Sequence, residues 1–544
     1  MPAHRFTRRQ RGGFHVTLAD TVSGPGAAGF HELHPDTGVP WVSVAVVVLG
    51  AFMAILDTSI VNVALPKLMA VFAVDATRIE WIATGYILSS GVVVPLTGYL
   101  GDRFGRKKMF VFAIVVFTAG SALCGLAWSN DTMVGFRVVQ AVGGGMIMPL
   151  SMSIIYSLVP REKIGMALGL WGIAIAFGPS VGPTLGGWLV DRFDWRLIFY
   201  INLPIGIVTV ILVMLLLPAL PKRPHLKLDL VGSILVAWGA FAFLLALSQG
   251  QDKGWTSLYI VTLFVSGGFA FILFALWELG HPEPILDIRL LKNGVFTLSL
   301  AATALASFGL FSAIFLMPIL LQNLLGYTPL QTGLVLLPAA LTTGVFQPIS
   351  GRLFDKVGAF WPSFAGLAMV VWTTYRMHTL GLASSWHDIQ LLLVLRSVGL
   401  GLGMMPTSTA GLYTIPQPLV GRATALNNLV RQIASSMGIA LVTYVMTSRA
   451  DFHYNWLAGT FTYGSPAAAA AWHRLSPPLG RQAAVGALYG VVQRQSFALG
   501  IDDAFVVGAA LVALALPLVC FMTKGRVDAA RSRALAAFAS RTSA

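Results

Sequence analysis

The stretch GYLGDRFGRKK at residues 98–108 is a short run of glycines and charges between two long apolar runs, and it decides the fold. A related stretch, GRLFDKVG, lies at residues 351–358 and has the same residue at four positions. Arg137 is matched by Arg396 at a similar offset, 259 residues against 253 for the two stretches. An internal repeat of this length predicts two parallel halves of six helices each, with two further helices inserted between them.

The composition indicates a membrane protein. Of the 544 residues, 56% are hydrophobic and 11% are charged, and the mean hydropathy is +0.77. Soluble proteins carry about 25% charged residues, so a chain this apolar could not hide its surface from water. The two cysteines, Cys124 and Cys520, lie in apolar runs without metal or redox spacing, and we expect neither a metal nor a cofactor.

Fourteen apolar runs are long enough to be transmembrane helices, which need about 20 residues each. They cover residues 41–65, 81–100, 109–128, 132–156, 164–190, 196–217, 230–249, 257–277, 296–322, 331–350, 359–380, 388–412, 422–448 and 501–522. If the amino terminus is cytoplasmic, 23 of the 36 basic residues fall on the cytoplasmic side and ten fall outside. This bias predicts that both termini are cytoplasmic, and it explains the net charge of +14 without a nucleic-acid partner.

The spans and the repeat together predict five segments, and the first is a disordered cytoplasmic tail. These segments are the tail 1–40, the first six-helix half 41–217, the two inserted helices with their loops 218–295, the second six-helix half 296–522, and a cytoplasmic tail 523–544. The second half contains an external stretch at 449–500. We expect this stretch to form either short helices on the membrane surface or a plain loop.

Asp57 is the only acidic residue well inside any of the fourteen runs. A carboxylate at that depth costs a few kcal/mol or more unless it is paired, hydrated or neutralised, so it indicates ion, proton or substrate handling. At 1.5 Å per residue, Asp57 lies about 24 Å and Arg137 about 21 Å above the cytoplasmic face of the membrane. The two side chains can therefore meet, and movement of the partner could switch the protonation state of Asp57. A static ion pair is the alternative.

Aromatic, methionine and amide side chains inside the runs are candidates for a substrate pocket, because such surfaces hold lipophilic cations adaptably. The candidates are Asn62, Tyr86, Met146, Trp171 and Asn428, together with the charged side chain of Arg431. Each could instead serve packing, and Asn428 and Arg431 could simply join helices. The second half has no acid that matches Asp57, whose repeat position falls near Gly309, so we expect coupling mainly in the first half.

Several of these stretches resemble motifs of the major facilitator superfamily. GYLGDRFGRKK is similar to the signature loop of the superfamily. LDTSIVNVALP at 56–66 and WRLIFYINLPIG at 195–206 resemble motifs of the fourteen-span drug:proton antiporters, the EmrB/QacA type. The resemblance implies an all-helical membrane fold and a signature loop that latches the two halves together as a gate. The gating residues it implies are Gly98, Asp102, Arg103, Gly105 and Arg106.

Residues 169–187 in the fifth span resemble the antiporter motif of the same family. Gly178, Gly182 and Gly186 recur every four residues and form a smooth helical face, which permits close backbone approach. Pro179 and Pro183 beside them remove backbone donors and are expected to bend the helix. The resemblance implies that this bend seals or opens the pathway during exchange.

The sequence thus predicts a secondary transporter of the inner cell membrane and not an enzyme. The predicted activity is proton-coupled export of lipophilic, often cationic compounds by alternating access, with Asp57 and Arg137 in the proton pathway that the resemblance implies. The expected partners are the substrate, protons, membrane lipids and a periplasmic adaptor. Two alternatives stay open: export of a native amphiphile such as a lipid or secreted metabolite, and a non-transporting membrane sensor.

Overall fold

The computed structural model describes residues 40–220, 222, 225, 229–382, 384–460, 470 and 481–543. These residues form helices joined by short turns, and no β-strand occurs among them. The expected amino-terminal tail lies outside the described residues apart from Pro40. Most of the segment 461–480, the middle of the expected external loop, also lies outside them.

Fifteen long helices occur in the described part of the chain, and fourteen of them overlap the predicted spans. They are α1 (Trp41–Phe72), α2 (Trp81–Phe104), α3 (Arg106–Gly125), α4 (Asn130–Leu158), α5 (Ile164–Arg192), α6 (Leu197–Leu216), α7 (Leu230–Lys253), α8 (Leu258–Gly280), α9 (Gly294–Leu324), α10 (Pro329–Val357), α11 (Phe360–Arg376), α12 (Trp386–Tyr413), α13 (Val420–Thr460), α14 (Arg481–Ala513) and α15 (Lys524–Ser543).

Twelve helices of the described residues are long and apolar enough to cross a membrane. The two predicted spans outside this set are α5 and α11, and α11 has 17 residues. The all-helical fold is therefore confirmed. The total of fourteen spans and the cytoplasmic position of both termini stay predictions.

The signature loop and its repeat both turn at a glycine with a positive φ. Gly105 separates α2 from α3 with φ +95°, and Gly358 separates α10 from α11 with φ +87°. Residues with a side chain rarely adopt a positive φ, so both turns require glycine. We call the end of the bundle that holds these two turns the Gly105 face.

Separate hydrophobic cores form before and after the inserted helices. The first includes Leu56, Ile60 and Phe199, and the second includes Leu316 and Phe505. Two cores of this kind are the arrangement that the internal repeat predicts, because each half buries its own apolar faces. The five-segment division of the chain stays a prediction.

The two halves meet chiefly along two helix pairs, α5 with α10 and α2 with α13. Smaller contacts join α4 with α13 and α5 with α12. At the Gly105 face both pairs approach at backbone distance: a Cβ added at Gly98 would lie 2.9 Å from the Gly421 carbonyl oxygen, and one at Gly351 would overlap the Gly165 carbonyl. The halves are therefore in direct backbone contact at this end of the bundle.

The inserted helix α7 packs against both α2 and α13, so it lies along the second of these seams. Thr84 on α2 and Ser248 on α7 have their hydroxyls 3.3 Å apart, and Gln251 on α7 donates to Thr447 Oγ1 on α13. The next helix, α8, packs chiefly on α7 and exposes large apolar side chains such as Phe269 and Ile272. An exposed apolar helix face of this kind suits contact with lipid.

The described ends of the expected external stretch continue the spanning helices and do not form separate surface helices. Residues 449–460 belong to α13, and residues 481–500 belong to α14. Asp503 Oδ2 accepts from Arg449 Nε at 2.6 Å and lies 2.9 Å from His453 Nε2. These contacts hold the two helices together. The glycines at 486 and 490 have low helix propensity, so the sequence pattern alone did not predict this helical extension.

Candidate functional site

Asp57 lies at the centre of α1 with no exposed surface, and its carboxylate has three described hydrogen-bond donors around it. Its Oδ2 accepts from Arg137 Nη1 at 2.6 Å. Its Oδ1 accepts from Gln140 Nε2 at 2.9 Å and from Asn202 Nδ2 at 2.8 Å. The charge is therefore matched by one guanidinium and two amides, which satisfies a buried carboxylate.

Arg137 enters the site from α4 and is 1% exposed. Besides Asp57 it bonds Gln140 Oε1 at 2.7 Å and the Ile82 carbonyl at 3.5 Å. Its guanidinium lies 4.2 Å from the centre of the Tyr86 ring, a cation–π arrangement contributed by α2. Helices α1, α2, α4 and α6 thus all meet at this pair, and a change in its charge acts on four helices at once.

Sequence reasoning missed Gln140 and Asn202, which are both fully buried. Gln140 lies three residues after Arg137, so the two share one face of α4. Asn202 lies in the quoted stretch 195–206 and also donates to Ser121 Oγ at 3.0 Å. An amide within an apolar helix that also contains or faces a charge was the signal that could have found them.

The repeat-related position in the second half holds a cation without an acid. Arg396 on α12 is 4% exposed and donates to the Gly309 carbonyl at 3.0 Å and to Thr374 Oγ1 at 3.2 Å. Gly309 is the residue near which the repeat offset places the equivalent of Asp57. Backbone carbonyls of α9 therefore take the place that a carboxylate takes in the first half.

The signature loop places its charges between α2, α3 and α4. Asp102 accepts from Arg106 Nη2 at 3.1 Å, and Arg106 also donates to the Ser157 hydroxyl. A Cβ added at Gly421, at the start of α13, would lie 3.2 Å from Asp102 Oδ1. Arg103 points elsewhere, because it bonds the Tyr99 hydroxyl. Asp102 and Arg106 therefore lie directly beneath the seam between the halves.

The repeat of this loop makes a direct bond across the other seam. Asp355 on α10 accepts from the backbone amides of Gly165 at 3.0 Å and Met166 at 3.3 Å, in the first turn of α5. A carboxylate at a helix amino terminus satisfies free amides and complements the helix dipole. Sequence reasoning identified Asp355 as part of the repeat but not as a link between the halves.

The glycine face of α5 lies against α1, next to the buried pair. A Cβ added at Gly178 would overlap Ile55, and one at Gly182 would overlap the Ser59 side chain. A Cβ added at Gly186 would lie 3.3 Å from the carbonyl oxygen of Ile60. Pro179 and Pro183 both lie within α5. This motif therefore sets how closely α5 approaches the two turns of α1 that flank Asp57.

The six pocket candidates lie in different environments. Tyr86 belongs to the buried pair, Met146 is buried in α4, and Trp171 Nε1 donates to Ser151 Oγ at 2.9 Å. Asn62 is exposed on α1, away from the network of Asp57. Asn428 and Arg431 do contact each other, since Arg431 Nη2 donates to Asn428 Oδ1 at 2.8 Å. Of the six, these two alone share a described hydrogen bond.

A bundle of membrane-crossing helices, two related halves in backbone contact and a buried ion pair in one half together define a membrane transport protein. The sequence model of the Major Facilitator Superfamily matches residues 47–439, and the chain belongs to that superfamily. It is thus a multi-pass protein of the cell membrane and a transporter, not an enzyme.

Named relatives extend this result. The chain is 36% identical to the uncharacterized MFS-type transporter YhcA of Bacillus subtilis, over 91% of this chain and 95% of the relative. It is 30% identical to the multidrug export protein EmrB of Escherichia coli, over 87% of this chain and 93% of the relative. It is 29% identical to the fatty acid resistance protein FarB of Neisseria gonorrhoeae, over 88% and 95%. The resemblance to the EmrB type is confirmed.

Solved structures show the same fold at low identity. The human organic anion transporter MFSD10 aligns with a TM-score of 0.59 and 14% identity, over 89% of this chain and 100% of that chain. A likeness at that identity establishes the fold alone.

Proposed function

We propose that this protein is a proton-driven exporter of lipophilic small molecules that works by alternating access. The observation that carries the proposal is the fully buried pair of Asp57 and Arg137, closed off by Gln140 and Asn202. Buried charges inside a membrane span are expensive and are retained chiefly where they serve ion or substrate movement. The names of relatives such as EmrB support export of drug-like compounds.

Protonation of Asp57 is the proposed coupling step. The three described donors occupy three of the roughly four acceptor sites of the carboxylate, and a proton added to it removes the negative charge that matches Arg137. Breaking a buried pair typically costs about 3–5 kcal/mol because one charge is left unmatched. A step of this size is enough to shift the balance between two conformations of the bundle.

The moving parts in this proposal are the seams between the halves. The bias of the basic residues makes the Gly105 face cytoplasmic. The contacts of Gly98 with Gly421, and of Asp355 with the first turn of α5, then hold the cytoplasmic side closed. Opening to the cytoplasm must break both contacts, and we assign the gating role to Asp102, Arg106 and Asp355.

Two partners belong to the same proposal. Membrane lipids would cover the exposed apolar face of α8. A periplasmic adaptor would contact the helical extension formed by 449–460 of α13 and the first turns of α14.

A native amphiphile is the second candidate substrate. It is favoured by the similarity to FarB, a protein named for fatty acid resistance. A drug exporter and an amphiphile exporter would share the same coupling pair and differ only in what the pathway accepts.

The test is transport in liposomes that contain the purified protein under an imposed pH gradient. We expect a lipophilic dye to accumulate with the wild-type protein and not with Asp57→Asn. Glu278→Gln is the matched control, because Glu278 is another buried carboxylate, on α8, far along the chain from the pair, and its variant should transport normally. Gradient-driven transport by Asp57→Asn would exclude the coupling role, and absence of flux with every solute tested would favour a membrane sensor.

A further inference from the structure

Two guanidinium groups in the helices of the second half, the buried Arg396 and the half-buried Arg431, have only neutral described partners. Among the described residues, no carboxylate lies within ion-pair distance of Arg396 or Arg431. The corresponding cation of the first half, Arg137, is neutralised by Asp57. Positive charge at these two described positions therefore has no acidic partner, which is costly in a membrane unless something compensates for it.

Arg396 has a structural explanation. Its side chain is enclosed, and its donors reach two carbonyls of α9 and one threonine hydroxyl. Three acceptors of this kind satisfy most of the donors of a guanidinium, so Arg396 holds α9, α11 and α12 together.

Arg431 differs because it is half-buried and most of its guanidinium donors have no described acceptor. Its guanidinium makes one described hydrogen bond, to Asn428 Oδ1 at 2.8 Å, although it has five donors in a planar fork. Asn428 in turn is fixed by its own bond from Nδ2 to the Thr424 carbonyl at 2.9 Å. The side chain is thus oriented by a neighbour while most of its donors are left for another molecule.

The position of Arg431 on α13 faces the seam between the halves. Ten residues earlier, Gly421 approaches Ser153 of α4, and seven residues later Gly438 approaches Phe308 of α9. At about 100° per residue, Arg431 lies about 20° around the helix from Gly438 and about 80° in the other direction from Gly421, so its position is between these two contacts. The guanidinium therefore lies between a contact with the first half and a contact with the second, about 16 Å from the start of α13 at 1.5 Å per residue.

We propose that Arg431, positioned by Asn428, binds the anionic head group of an amphiphilic substrate. The matching groups are carboxylates and sulfonates, which accept two parallel hydrogen bonds from a guanidinium. The inference rests on the proposed export function and changes its substrate charge: the sequence predicts lipophilic cations, but the described seam offers a cation at this level and no free carboxylate. An apolar tail would extend from the head group along the seam.

Binding to protein in phosphatidylcholine nanodiscs tests this site without any gradient. The probes are 11-(dansylamino)undecanoic acid and its methyl ester, which differ in the charge of one group, with empty nanodiscs as the background. We expect wild-type protein to bind the acid about tenfold or more tightly than the ester, as a charge-assisted pair implies. Arg431→Gln should abolish this preference, and Arg431→Lys should retain part of it.

Asn428→Ala should weaken binding of the acid to a smaller extent and leave binding of the ester unchanged, because it frees the guanidinium without removing its charge. Equal binding of the acid to wild type and Arg431→Gln would overturn the proposal, and so would tighter binding of ethidium than of the acid. Arg431→Lys controls for misfolding. If nanodiscs containing phosphatidylglycerol displace the acid from wild type alone, the anion site is supported and lipid competes for it.

The two proposals fail separately. Loss of the preference for the acid in Arg431→Gln, together with no gradient-driven flux in liposomes, would support the anion site and remove the transport function. Gradient-driven export that depends on Asp57, with no effect of Arg431→Gln on binding or flux of the acid, would do the reverse.

Discussion

At the scale of single residues, Asp57 and Arg137 act as a unit in which each compensates for the burial of the other. Their side chains are 0% and 2% exposed, so neither charge has access to water. Gln140 bonds both partners and fixes their relative position. A change at either charge must therefore be felt by the whole network.

The energetic coupling of the pair can be measured with a double-mutant cycle. Arg137→Leu leaves the buried carboxylate unmatched and should destabilise the protein by about 3–5 kcal/mol. Asp57→Leu combined with Arg137→Leu should recover most of that stability, because two apolar groups replace two charges. The measurement is the free energy of unfolding in mixed micelles, taken for each single variant and for the double variant. Additive effects of the two substitutions would contradict the account.

The sequence predicted part of this site from depth alone. Counting 1.5 Å per residue put Asp57 and Arg137 within a few Å of the same level, and their atoms are in fact in contact. Asn202 was not found from depth or hydropathy, because a single amide hardly changes the mean hydropathy of an apolar helix. The exposed position of Asn62 also depends on the rotation of α1, which is set by packing and not by the sequence pattern.

At the scale of helices, α5 is the element with a different partner on each side. Gly178, Gly182 and Gly186 lie against α1, whereas Gly165 and Gly169 lie against α10 of the other half. Movement of α10 can therefore reach the helix that holds Asp57 through α5 alone. The glycine spacing predicted a close approach, but the identity of the neighbour needed the fold.

A matched pair of glycines tests the role of this face. Gly182→Val would place its side chain on Ser59 and Ile60, so it should lower transport strongly and also reduce stability by about 1–3 kcal/mol, as overpacking does. Gly187→Val, five residues further along α5, has open space at its Cβ and should transport like wild type. Uptake by liposomes and thermal unfolding give the two readouts. Equal transport by the two variants would show that close approach of α5 to α1 is not required.

At the scale of the whole molecule, the two halves repeat their backbone but not their charges. Gly105 and Gly358 are both turn glycines with a positive φ, and Arg137 and Arg396 take related places, but among the described residues only Arg137 has a carboxylate partner. The repeat could be recognised in the sequence because it consists of local motifs. The bond from Asp355 to the start of α5 could not be predicted, because it joins residues 190 positions apart in different halves.

Orientation in the membrane is a prediction at this scale. Lys253→Cys, at the end of α7 away from the Gly105 face, should react with an impermeant maleimide in intact cells, whereas Arg533→Cys in α15 should react in inverted vesicles alone. Both positions are exposed, and Cys520→Ser removes the exposed native thiol while Cys124 is buried. Labelling of Arg533→Cys in intact cells would place the Gly105 face outside.

The central claim is that Asp57 links proton movement to substrate movement, and Asp57→Asn in liposomes separates the two most directly. The account predicts that this variant loses accumulation driven by a pH gradient but still exchanges labelled for unlabelled substrate across the membrane without a gradient. Such exchange needs the substrate pathway and not the proton. Accumulation against a gradient at the wild-type rate by Asp57→Asn would contradict the account.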